Sequence, residues 1–91
     1  MDQDTLTALA KRVDGMTSGD NAVDVLVEIA LFTPDERYAA IRANTAGSKV
    51  ICTTQDGSKE TFRARDWTFT AGHRRNVSAL LRARTQESTP C

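Results

Sequence analysis

AVDVLVEIALF, Ala22 to Phe32, is the most apolar stretch of the chain, and its period reads two ways. Val23, Val25, Val27 and Ile29 alternate as a strand would. Asp24 and Glu28 are four apart, which on a helix gathers both carboxylates into one narrow polar stripe. Eleven residues is long for a strand and suits a helix, whereas four β-branched residues suit a strand. The pattern alone leans slightly to a buried helix.

Upstream, Leu6, Leu9, Ala10 and Val13 follow helical spacing, with Asp4 placed to cap the start and Gly15 to end the segment in a left-handed conformation. Downstream, Thr33-Pro34-Asp35-Glu36 has the form of a helix start: an N-cap, a proline at the first position and acids at the positive end of the dipole. RYAAIRAN continues with good helix formers and Gly47 fits a stop, so a third helix is expected over 34–45.

Gly47 to Trp67, GSKVICTTQDGSKETFRARDW, reads as a β-hairpin about Asp56-Gly57. A two-residue turn sets Ile51 opposite Phe62. A type I turn with a bulge at Gly57 shifts the register by one and sets Val50 opposite Phe62. The second register sorts the side chains better. Val50, Cys52, Phe62 and Ala64 then share one side, and Lys49, Lys59, Arg63 and Arg65 share the other with Ile51. Trp67 and Phe69 are expected as core or edge-packing residues. Thr70 can cap a last helix, about 71–85, with Val77, Leu80, Leu81 and Arg84 as its inner stripe. Residues 86–91 read as a frayed polar tail.

The architecture expected is one α+β domain of order α-α-α-β-β-α, its hairpin packed on helices. Ninety-one residues bound the chain to a single modest core. Because two strands make a meagre sheet, pairing of hairpins across a homodimer is also expected.

Net charge is zero, but its distribution is polarised. Residues 1–36 carry eight Asp or Glu against two Lys or Arg, and residues 37–91 carry ten Lys or Arg against four Asp or Glu. Two candidate surfaces follow. Asp14, Asp20, Asp24 and Glu28 could present acid to a basic protein partner. Lys49, Lys59, Arg63 and Arg65, with Arg74, Arg75 and Arg82 of the last helix, could meet phosphates or an acidic partner.

Catalytic signals are weak. The chain has one histidine, His73, and two cysteines, Cys52 and Cys91. No metal-ligand spacing, phosphate-binding loop or calcium loop is present, so no metal, cofactor or catalytic residue is assigned. A Cys52–His73 pair would need the cysteine out of the core, where its position in a strand places it. No apolar run approaches the ~20 residues of a membrane span and no leader is visible, so a cytoplasmic protein is expected.

The order of elements, with TALAKRVDGMTSGDNAVDVLVEIAL, then YAAIRANTAGSKVICTTQDGSKETFRARDWT, then ALLRAR, resembles the phage ABA sandwich domain family over most of residues 5–84. The resemblance implies a small phage or prophage protein with a layered α+β fold, and a helix at 22–32. It carries no activity and no functional residues. Phage origin taken together with the polarised charge leads to the expectation of a non-enzymatic protein of the host bacterial cytoplasm that binds a host protein, an inhibitor of a defence system of anti-CRISPR type being one concrete form. The alternative is a nucleic-acid-binding accessory protein acting through the basic hairpin and last helix.

Overall fold

The computed structural model describes residues 2–87. Its elements run α1 (Gln3–Asp14), α2 (Asn21–Leu31), β1 (Tyr38–Ala43), β2 (Val50–Thr54), β3 (Lys59–Phe62) and α3 (Ala71–Glu87). The fold is α+β, with a three-stranded antiparallel sheet of order β1-β2-β3. No described helix is long and apolar enough to cross a membrane.

The ambiguous stretch is helical, and its position explains the ambiguity. Asp20 caps it, its carboxylate accepting from Ala22 N at 2.8 Å and Val23 N at 3.4 Å. Val23, Val27 and Ala30 pack with Leu6, Leu9, Ala10 and Val13 of α1 and Val77 and Leu81 of α3. Val25 and Ile29 pack the other way, on Val50, Ala64, Ile41 and Ala43 of the sheet and its exit. A helix buried on two sides needs apolar residues nearly all round, so its 3.6-residue period blurs. The layers are therefore the sheet, then α2, then the α1–α3 pair. Among the described residues α1 and α3 pack on each other and neither packs on a strand.

The third expected helix is a strand. Thr33 does not cap; its hydroxyl accepts from Arg84 Nη1 at 3.1 Å. Asp35 instead folds the chain into a turn, its carboxylate accepting from Arg37 N at 2.8 Å and Tyr38 N at 2.7 Å. The chain leaves that turn extended. β1 then pairs with β2, Ile41 with Cys52, Arg42 with Ile51 and Ala43 with Val50. The helix propensity of an alanine-rich run is worth tenths of a kcal/mol per residue, which the ladder and the packing of Ile41 and Ala43 on α2 outweigh. Gly47, expected to end that helix, takes φ +70° in the β1–β2 turn. There Asn44 Oδ1 accepts from Ser48 N and Lys49 N.

The hairpin takes the bulged register: Val50 pairs with Phe62 and Cys52 with Glu60, and Gly57 has φ +92°. The third strand occupies the free edge of β2, so the sheet does not need a second copy to reach three strands. Three local expectations also change. α1 is capped by Asp2, whose carboxylate accepts from Thr5 N at 2.7 Å, and Asp4 lies in the first turn. Gly15 closes that helix with φ −85°, in the right-handed region. Leu80 and Phe69 are exposed, whereas Val77 and Leu81 fill the core. Thr70 does cap α3, accepting from His73 N at 3.0 Å. That helix runs to Glu87, two residues into the expected tail; residues 88–91 lie outside the described residues.

Candidate functional site

Side chains alternate across a strand, so α2 on one face of the sheet leaves the other open. The register fixes who stands there. Lys49 lies one step before Val50, where its backbone bonds to Asn44 beyond the end of β1, while Arg63 follows the last residue of β3 and lines the cleft on the helix-covered side. The next open row is Arg42, Ile51 and Thr61, and the next is Ala40, Thr53 and Lys59. Strands are about 4.8 Å apart and alternate residues about 6.7 Å, so three cations flank a small neutral platform of Ile51, Thr53, Thr61 and Ala40. No Asp or Glu belongs to these rows. Arg42, Lys49, Lys59 and Arg63 are all exposed. Arg42, Lys49 and Lys59 take no carboxylate partner among the described residues. Arg63 has a loose one, Asp66 at 3.9 Å, and its side chain stays 75% exposed.

Arg42 was hidden by the reading of 34–45 as a helix. The signal that could have found it is Asp35, which can close a turn on its own backbone as readily as it can favour a helix start. The other expected cations divide. Arg65 leaves the sheet and stacks on Trp67, 5.7 Å from the ring centroid. Arg74 donates to the Thr68 carbonyl at 2.9 Å. Arg82 pairs with Asp14 at 2.7 Å, tying α3 to α1. Arg75 is exposed on α3, which does not pack on the sheet. The hairpin thus supplies two of the three sheet cations, Lys49 and Lys59, and α3 supplies none.

The acidic set does not gather on a surface. Asp24 is 1% exposed. Its Oδ1 accepts from Thr68 N at 2.9 Å and Thr68 Oγ1 at 2.8 Å, pinning the segment between β3 and α3 onto α2. Its Oδ2 is buried without a partner, and burial pushes its pKa above the ordinary carboxylate value. Glu28 is half-buried, and its Oε1 accepts from Trp67 Nε1 at 2.9 Å and Arg65 N at 3.1 Å. Asp20 caps α2 and Asp14 holds Arg82.

His73 and Cys52 stand apart. His73 Nδ1 lies 3.1 Å from the Asp66 carbonyl at the start of α3, while Cys52 is buried on the inner sheet face. Burial first, then nearby carboxylates, pushes the Cys52 thiol above its usual pKa, which disfavours the thiolate. No cluster of three or more metal-ligating side chains is present among the described residues.

Comparison with known families, curated proteins and solved structures finds no match to this chain.

Proposed function

We propose that this chain is a non-enzymatic nucleic-acid-binding protein that holds phosphates on the open face of its sheet. The observation that carries the reading is the clustering of Arg42, Lys49 and Lys59 on one uncovered face with no carboxylate in its rows. Unpaired cations on a rigid ladder are pre-positioned for a polyanion, and their counterions are released on binding. Thr53 and Thr61 add hydroxyls between the charges. In the phage setting that the resemblance implies, the polyanion is phage or host nucleic acid. A host-protein partner met through the acidic residues has less support, because Asp24 is buried and Glu28, Asp20 and Asp14 each serve an internal bond.

The test is fluorescence anisotropy with labelled mixed-sequence DNA and RNA from about 50 to 300 mM salt. Three phosphate contacts predict a log–log slope of about −2 to −3. Absence of binding at the lowest salt would sink the reading, and so would affinity that ignores salt.

A further inference from the structure

The inner face of the sheet extends past the helix that covers it. Beyond Leu31, a cleft of about 480 Å³ opens between the end of α2 and the strands, within the range of small-molecule sites. Its floor is apolar, formed by Ile41, Val50 and Cys52. One wall is Phe62, 40% exposed, its ring edge-on to Tyr38 with centroids 6.0 Å apart. Trp67 also lines the cleft, with Arg65 stacked on its ring. Glu28 reaches the same cavity, as do Arg63 and Arg65. Glu28 Oε1 is taken by Trp67 Nε1 and Arg65 N, and no donor from the described protein meets Oε2.

This combination restricts the ligand. A purely apolar molecule would cover Glu28 and the arginines without satisfying them. A simple anion would suit the arginines but face the Glu28 carboxylate. A flat ring with an N–H donor on its edge and an anionic group beyond it satisfies aromatic wall, carboxylate and guanidinium together. We propose that the cleft takes one unpaired nucleotide, the base against Phe62, its amino group on Glu28 and its phosphate on Arg63 and Arg65. Arg63 follows the last residue of β3, so the phosphate at the mouth lies at the sheet edge next to Phe62. The inference rests on the nucleic-acid reading and makes it specific to single strands. A carboxylate accepts from the amino group of cytosine, which uracil replaces with a carbonyl.

Trp67 is the sole tryptophan, so its fluorescence reports the cleft. Titration with cytidine 5′-monophosphate should quench it saturably, uridine 5′-monophosphate should bind several-fold more weakly, and ribose 5-phosphate should leave it unchanged. Phe62→Ala should weaken the cytidine nucleotide about tenfold. Glu28→Gln, which keeps the acceptor for Trp67 Nε1, should erase the preference over uridine. Circular dichroism identical to wild type shows that each variant folds. Equal quenching by the two nucleotides, or by ribose 5-phosphate, would overturn the proposal. If labelled single strands still bind through Arg42, Lys49 and Lys59 while the cytidine nucleotide leaves Trp67 unquenched, the cleft assignment alone fails. If neither binds, the nucleic-acid reading fails with it.

Discussion

The two faces of the sheet are built from neighbouring residues and have opposite tasks. Val50 is buried against α2, and Ile51, next in the chain, stands on the open face among cations. The inner face holds the molecule together through Val50, Ile41 and Ala43 packed on Val25 and Ile29. The outer face packs on none of the described helices, so its residues are free of folding duties. A side chain that no core requires, yet is cationic at three open positions, is more readily explained by a ligand than by the fold. Lysine on an edge strand does discourage aggregation, and Arg42 and Lys59 stand on the two edge strands, but Lys49 adjoins the central strand β2 and carries the charge across the sheet.

Substitutions at adjacent positions sharpen the contrast. Val50→Asp places an unpaired carboxylate between sheet and α2 and should cost about 3–5 kcal/mol, enough to unfold a small domain. Urea denaturation followed by circular dichroism would measure it. Ile51→Asp should cost no more than about 1 kcal/mol, yet lower affinity for a labelled strand by setting a negative charge among the cations. Comparable destabilisation by the two would mean that the open face is not open.

The connection between the layers gives the next effect. Thr68→Val removes the hydroxyl that Asp24 and Asp20 share, and leaves the Asp24 carboxylate one bond poorer in a buried site; a loss of about 1–3 kcal/mol is expected in the same assay. The raised pKa of Asp24 has a defined sign. Folding favours the protonated acid, so this contribution is complete below the unfolded value and disappears as pH rises through the folded one. Asp2, Asp35 and Asp56 are lowered by their hydrogen bonds, chiefly to Thr5, Tyr38 and Thr54 respectively, and act in the opposite sense, losing stability as pH falls. Asp24→Asn isolates the first effect. Wild type minus variant should fall in stability from about pH 4 upward, and a difference that rises instead would contradict the assigned cause.

How much of this was legible in the sequence follows from which residues touch what. The stripe Leu6, Leu9, Ala10 and Val13 faces one layer only, and its helical period was plain. The bulged hairpin register followed from sorting Val50, Cys52 and Phe62 from the lysines, because a slip would turn every side chain over. α2 and β1 misled in opposite directions. α2 is sandwiched, so burial on two sides erased its period. β1 is an edge strand with alanines at positions 39, 40 and 43, so local propensity pointed to a helix and only pairing with β2 made it a strand. The basic site was partly visible for the same reason: the hairpin showed two of its cations, Lys49 and Lys59, and Arg42 depends on a contact nearly ten residues away. The burial of Asp24 had a trace in the sequence, an acid flanked on both sides by valines inside an apolar run, but its partner Thr68 lies 44 residues on.

The smallest expected effect is at the helical layer. Arg82 and Asp14 are each 47% exposed, and Arg82→Gln should cost no more than about 1 kcal/mol and leave strand binding unchanged. A fall in affinity there would move the interface to α3.

The most direct test of the open-face assignment is the salt dependence of strand binding in wild type and in Arg42→Ala combined with Lys49→Ala and Lys59→Ala. The cationic sheet predicts that the triple variant keeps its melting temperature, loses most of its affinity, and reduces the magnitude of the log–log slope by about 3. An unchanged slope in a folded triple variant would contradict it.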